Sequence, residues 1–445
     1  MQQNLKRFSL TALLLQAVLQ LIHSAPGEDI STARNSFLTG ENSDFLGSFA
    51  GKFYSLIPES PFDWSFNLML MQSTLVICAI ILWIQNLNLK GKHFVALLIL
   101  QSIFLTFGSQ QSRDGTFFSF VFFGLAILRR SQDNTSPIRR YFYELISCFS
   151  IIFGLSFRPW LSPALVILAI AIKLQTKKLR DLKSLEIFSY VAVLLCAPLI
   201  IEASSSHLLK TTSRYPFQTV IIHDLSSIAC LAANTNSINK AIKALEPVSN
   251  NNNLASTLCQ FYRPNTWQAV ANKNSEDMTT INLIEPIQLT TSKIAFDALR
   301  SNWITLLRSD TRSYLQIKLM LSSQVIFASQ TKLSFNTNSK IAHLIPSHFS
   351  SVLTLLFKAA SIPWIISSKL YVITPGMFII IFFSLKRRFE FNRGSQITVF
   401  LTFCSALIST VLTVLLFVSD NGRYLTPILL VCYLLLILSL SRVKD

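Results

Sequence analysis

Six acidic side chains fall between residues 24 and 65 (Glu28, Asp29, Glu41, Asp44, Glu59 and Asp63), against two basic ones, Arg34 and Lys52. Glu28-Asp29 follows the end of an apolar run at 8–23 by only a few residues, so it is tethered close to wherever that run is anchored. A carboxylate held beside a membrane-borne phosphate can act as a general base or hold a divalent metal ion. The plainer alternative is a loop that is simply free to be acidic. A further acid, Asp114, heads another apolar run in Ser112-Arg113-Asp114-Gly115, where it also suits the first turn of a helix as a cap. Opposite charge comes from Arg113, from Arg158 in Phe157-Arg158-Pro159-Trp160, and from Arg423 beside Tyr424 in Asp420-Asn421-Gly422-Arg423-Tyr424. Guanidinium forks suit phosphate or pyrophosphate groups, and the alternative is headgroup binding by an interfacial arginine with aromatic neighbours. His223-Asp224 is a candidate acid/base or orienting pair. Adjacent residues point in different directions on any regular element, however, so taken alone it reads as structural. The catalytic candidates are therefore Asp29, Glu28, Asp114 and Asp44, with Asp29 and Asp114 the candidate ligands for a divalent metal. The substrate-binding candidates are Arg423, Arg158, Arg113, His223, Asp224 and Tyr424.

The elements that must position these groups are apolar. Of 445 residues, 51% are hydrophobic and only 14% are Asp, Glu, Lys or Arg. The mean hydropathy is +0.46, whereas a soluble domain carries about 25% charged residues. A soluble enzyme, a disordered chain and a disulfide-stapled secreted module are excluded. The formal net charge of +17 does not point to nucleic acid, because 19 of the 39 Lys and Arg residues sit in short segments at the ends of apolar runs.

Ten spans are expected, at about 8–23, 66–85, 94–108, 115–128, 142–157, 161–174, 187–201, 370–385, 397–418 and 424–441. Lys6/Arg7, Lys90/Lys92, Arg129/Arg130/Arg139/Arg140, the run Lys173 to Lys183, Lys386/Arg387/Arg388/Arg393 and Arg442/Lys444 then fall on one side. The positive-inside rule makes that side cytoplasmic, with both termini inside and long outer segments at 24–65 and 202–369. The stretch 351–366 is read as an amphipathic helix in the outer interface with Lys358 snorkelling, because counting it as a span would export Lys386–Arg393. Segment 46–57 has the same surface-lying character. The first run also resembles a signal peptide, and Pro26 after the candidate cleavage site favours an uncleaved anchor.

The expected fold class is α, a polytopic helical membrane protein. It divides into an N-terminal transmembrane module (1–201), a mainly helical extracytoplasmic domain (202–350), an interfacial helix (351–369) and a C-terminal transmembrane module (370–445). Within the outer domain 292–326 reads as one strongly helical stretch, and Asn250–Asn253 as a loop. Five of the seven Cys lie in apolar runs, and Cys230 and Cys259 can pair if their segment is exported. The spans hold almost no ionisable group near mid-membrane, Glu144 lying close to an end, which counts against ion-coupled transport. No nucleotide-binding glycine loop, zinc-type Cys/His pattern, heptad array or internal repeat is present.

Together these features resemble the integral-membrane glycosyltransferases of the GT-C fold. The likeness covers a short first span, an acidic first outer loop with surface helices, and a later extracytoplasmic domain. It implies a catalytic or metal-binding acid in the first loop, where Glu28-Asp29 stands, and another before the fourth span, where Asp114 stands. A bacterial subgroup is more similar still. Ser43-Asp44-Phe45 resembles its Ser-Asp-Trp element, without the His-Pro that follows there. His223-Asp224-Leu225-Ser226-Ser227-Ile228 resembles its His-Asp-Leu signature, and Tyr262-Arg263-Pro264-Asn265-Thr266-Trp267 and Trp303 through Tyr314-Leu315 also match its pattern. Arg423-Tyr424-Leu425-Thr426-Pro427 resembles an Arg-Tyr-x-x-Pro opening of a late span.

The resemblance implies transfer of a sugar from a polyprenyl-phosphate donor to an extracytoplasmic glycan, lipid or protein acceptor in a bacterial-type plasma membrane. Two other classes stay open: a polysaccharide polymerase or ligase, leaning on arginines, and a lipid or glycan transporter without catalysis.

Overall fold

The computed structural model describes residues 2–22, 28–39, 48–59, 63–85, 91–134, 136–174, 184–208, 215, 217–249, 254–262, 287, 289–323, 351–352, 355–356, 358–359, 370–386, 393–416 and 425–440. In parts of some helices, Glu28 and Asp29 included, only the backbone is described. Among the described residues the chain is all-α, with no strand beyond the isolated bridge between Ser249 and Ile287. The first nine helices are α1 (Gln2–Ile22), α2 (Glu28–Leu38), α3 (Ser48–Leu56), α4 (Trp64–Ile84), α5 (Gly91–Gly108), α6 (Arg113–Gln132), α7 (Pro137–Leu155), α8 (Ser162–Leu174) and α9 (Ser184–Leu208). Five more follow: α10 (Gln218–Leu231), α11 (Thr235–Leu245), α12 (Leu254–Phe261), α13 (Lys293–Ser309) and α14 (Thr311–Ser323). The chain closes with α15 (Leu370–Lys386), α16 (Arg393–Leu416) and α17 (Thr426–Leu440).

All ten apolar runs of the sequence are helical over nearly all of their described residues. Two of them, Trp64–Ile84 and Gln396–Val414 within α16, are both long and apolar enough to cross a bilayer by length and composition, with hydropathies of 2.0 and 2.1. Six others contain shorter apolar segments among the described residues, such as Pro159–Leu174 and Thr426–Leu436. The ten helices share one hydrophobic core, to which α2 and α3 contribute Ile30, Ala33, Ala50 and Tyr54.

Side-chain bonds between helices fix their relative directions. Ser147 Oγ donates to the Gly124 carbonyl (2.8 Å) and Ser150 Oγ to that of Phe120 (2.7 Å), so α6 and α7 run antiparallel. Close approach there depends on glycine. A Cβ on Gly154 would meet Val121 Cγ2 at 2.8 Å and the Phe117 carbonyl oxygen at 3.0 Å, and one on Gly124 would meet Ile151 Cγ1 at 2.7 Å. Small residues and hydroxyls at a helix contact are the usual means of packing helices in a medium as apolar as the helices themselves. Thr398 bonds to the Ala171 carbonyl (3.4 Å) and Ser405 to that of Ala164 (2.8 Å), which sets α16 antiparallel to α8. Helices α4 and α6 run the same way, since Gln72 reaches Thr116 (2.8 Å) near their starts and the Arg129 guanidinium lies 4.9 Å from the Trp83 ring near their ends.

These pairings sort charge onto two ends of the bundle. One end gathers Arg129, Lys173, Glu144, Arg140 and the start of α16. There Glu144 is bonded by Gln132 (3.1 Å) and Arg140 (3.2 Å) and faces Lys173 at 3.8 Å. The other end gathers the starts of α4 and α6, linked by Gln111 donating to the Ser65 carbonyl (2.9 Å), the α7–α8 connection, and the α2–α3 pair.

Helices α10–α14 enclose a second core, built on Ile221, Ile222, Leu225, Leu245, Leu258, Leu299 and Leu306, and α14 also packs against α16. A disulfide joins Cys230 at the end of α10 to Cys259 in α12, with Cα atoms 5.4 Å apart. The stretch expected to be one helix over 292–326 is broken at Asp310. Its backbone leaves helical geometry (φ −145, ψ 52), and its carboxylate accepts the Ser313 amide (3.3 Å) and the Ser237 hydroxyl, so it caps α14 while ending α13. Helical periodicity carries across such a break, which is why the pattern alone reads as continuous. Of the expected interfacial helix, the described positions within 351–359 are helical, and Val352, Leu355 and Leu356 are exposed.

Candidate functional site

The candidate residues fall into three groups by where the chain places them. The first is built around Asp114. Ser112 caps α6, its Oγ accepting the Gly115 amide (3.0 Å), and this sets Asp114 in the first helical turn. Facing it is Arg158, in the short turn between α7 and the 3-10 segment Pro159–Leu161, where proline prevents α7 from continuing. Arg158 Nε donates to Asp114 Oδ1 at 2.6 Å, and its guanidinium lies 5.1 Å from the Trp160 ring. Arg158 is 4% exposed and Asp114 1%, so this is a buried, charge-compensated pair. Beside it Arg113 donates to the Phe157 carbonyl (3.3 Å). Two groups expected to serve catalysis and phosphate binding are thus bonded to each other across 44 residues. A carboxylate already matched by a guanidinium is a poor ligand for a divalent cation. Among the described residues no three His, Cys, Asp or Glu side chains converge as a metal site.

The α2–α3 pair is seated on this same end. Arg34 on α2 donates to the Tyr54 carbonyl (3.3 Å), pairs with Glu59 (3.3 Å) and lies 4.8 Å from the Trp64 ring. Tyr54 on α3 shares a hydrogen bond with Thr116 (3.1 Å), two residues from Asp114. Phe49 and Phe53 pack edge-on against Phe153 and Phe157, which brace the turn carrying Arg158. Helix α2 begins at Glu28-Asp29, and the next residue, Ile30, is fully buried in the shared core. The backbone of both acids is therefore anchored to the bundle, while their side chains, and all of Asp44, Arg423 and Tyr424, lie outside the described residues.

The third group lies within the α10–α14 core. His223 is 0% and Asp224 2% exposed, on successive positions of α10. Their side chains take different partners, as adjacent helical positions require. Asp224 pairs with Lys318 of α14 (2.6 Å) and accepts the Tyr314 hydroxyl (3.3 Å). Burial pushes its carboxyl above the usual range, and the Lys318 ammonium opposes that shift. His223 Nδ1 lies 3.0 Å from Ser227 Oγ, which is also 2.8 Å from the Tyr262 hydroxyl. Burial pushes the Tyr262 hydroxyl up to about 12, so it stays protonated. This network ties α10 to α14 and to the residue after α12 inside the domain. Lys318 was not singled out from the sequence, because a lysine in a mixed helical stretch carries no local sign that it faces a buried acid 94 residues away.

Comparison with protein-family models, with curated proteins and with solved structures returns no match for this chain.

Proposed function

We propose that this chain is a multi-pass membrane glycosyltransferase that moves a sugar from a polyprenyl-phosphate donor to an acceptor on the outer face of a bacterial-type plasma membrane. Three observations support the membrane part. Helix α7 presents Ile138, Tyr141, Phe142, Leu145 and Phe149, each at least 60% exposed, as one apolar stripe, and α9 and α15 carry similar residues. A water-soluble monomer rarely leaves so much apolar surface bare. The bundle has a basic end, as the positive-inside rule expects of a cytoplasmic side. The Cys230–Cys259 disulfide suits an oxidising, extracytoplasmic compartment for α10–α14.

The observation that carries the transferase reading is the seating of α2–α3 on the opposite end of the bundle, with Tyr54 bonded to Thr116 beside the Asp114–Arg158 pair. A helix that starts with Glu28-Asp29 is thereby held on the outer end, where a lipid-borne phosphate would present its sugar. In this mechanism Asp29, with Glu28 beside it, takes the proton of the acceptor hydroxyl as its oxygen attacks the anomeric carbon in line. The bond from that carbon to the phosphate oxygen breaks, and the lipid phosphate leaves with the electron pair, met by Arg423 with Tyr424 beside it. Asp114 acts through Arg158, holding the α7–α8 turn against α6, with Arg113 bracing the same turn. Asp44 serves the acceptor, and His223 and Asp224 keep the outer domain in shape. Asp29→Asn should abolish transfer while leaving the protein in the membrane, and full transfer by this variant would overturn the assignment.

A further inference from the structure

A crevice of about 180 Å³ opens at the basic end of the bundle, away from the residues discussed above. It is lined by Ser9, Leu10 and Leu13 of α1, Ile80, Ile81, Ile84 and Gln85 of α4, and Gln101 of α5. Its polar members are largely spent on one another. Ser9 Oγ donates to Gln101 Oε1 (2.5 Å), and Gln101 Nε2 donates back to the Ser9 carbonyl (3.3 Å). Apart from Gln85, the remaining wall is leucine and isoleucine. A sugar or a peptide backbone would find few partners there, whereas an alkyl chain fits such a wall without leaving a polar group unsatisfied. The crevice is open along α1, where Leu10, Leu14, Leu15 and Val18 are exposed. Arg7 stands exposed one turn before Leu10, a lining residue, on the same helical stripe.

We infer that this crevice holds one acyl chain of an anionic phospholipid from the cytoplasmic leaflet, with the lipid phosphate against Arg7. The inference rests on the membrane reading above, which places the basic end at that leaflet. Apolar walls beside an exposed apolar helix face, with an exposed cation one turn further along that helix, match a chain and a phosphate on one molecule. The occupant is distinct from the sugar donor, whose phosphate belongs to the opposite end.

The test uses the full chain purified in mild detergent and loaded with phosphatidylglycerol, phosphatidylcholine or a polyprenyl phosphate, with retained lipid counted by native mass spectrometry. The wild type should retain phosphatidylglycerol in preference to phosphatidylcholine. Leu10→Trp, which fills the crevice from its exposed edge, should retain at least five-fold less. Arg7→Gln should erase the preference between the two phospholipids. Leu13→Trp provides the same block from the buried side, with monodispersity confirming that it folds. Unchanged retention in Leu10→Trp, an unchanged preference in Arg7→Gln, or retention of the polyprenyl phosphate alone would each overturn the inference. Failure of the membrane reading is separately visible, as recovery of the protein in the soluble fraction without detergent.

Discussion

Replacing Asp114 by Asn keeps the shape of the side chain and removes its charge, leaving Arg158 buried at 4% exposure without its counter-charge. With Nε and Oδ1 2.6 Å apart, the two charge centres lie about 4 Å apart, an interaction of about 4 kcal/mol at an effective dielectric near 20. Breaking one side of a buried pair costs about 3–5 kcal/mol, most of it from the stranded charge. The expected consequence is a fall of roughly 10 °C in the unfolding midpoint of the detergent-solubilised full chain. Arg158→Met alone should cost a similar amount by stranding Asp114. The double variant Asp114→Asn/Arg158→Met leaves no stranded charge and should recover much of the loss. The assay is a double-mutant cycle on midpoints of thermal or denaturant unfolding. A coupling below about 1 kcal/mol, with the double variant as unstable as the sum of the singles, would refute the claim that the two groups compensate each other.

Three further outcomes are expected. Gly154→Val should cost about 1–3 kcal/mol by wedging α7 away from Val121 and the Phe117 carbonyl, read as a lowered unfolding midpoint, while a change at an exposed α7 position such as Ile138→Val should cost little. Reducing Cys230–Cys259, which closes a loop over 29 positions, should destabilise α10–α14 by about 3.5 kcal/mol, seen as faster proteolysis of that region with the bundle intact. The Asp310 carboxyl, held below its ordinary value first by the Ser237 hydroxyl and then by Ser313, should contribute stability above about pH 4. Between the lowered folded value and the unfolded value the unfolded chain binds more protons, so that contribution is lost as pH falls through the folded value. Asp310→Ala should remove this acid-side slope and cost about 1 kcal/mol or less, given how exposed the group is.

Much of the helical framework is legible in the sequence because burial and periodicity are local properties. Each apolar run became a helix, and the surface character of 46–57 appears as α3, whose Phe49 and Phe53 face the bundle while Lys52 stays exposed. The position of Asp114 in a first helical turn follows from Ser112 and Gly115 beside it. Its partner does not. The bond to Arg158 depends on α6 and α7 meeting through Gly124 and Gly154, a packing relation that spacing along the chain does not encode. The same holds for Lys318 and Asp224, joined only because α14 folds back over α10. The break at Asp310 was hidden for a different reason. An aspartate inside a helical pattern reads as one more polar position until a distant hydroxyl, that of Ser237, fixes it as a cap.

The most direct test of the proposed transfer is mass spectrometry of envelope glycans from a strain lacking this protein, complemented with the wild type or with Asp29→Asn. Loss of one sugar increment, restored by the wild type and not by Asp29→Asn, is the expected result. The same increment in every strain would contradict the transferase assignment.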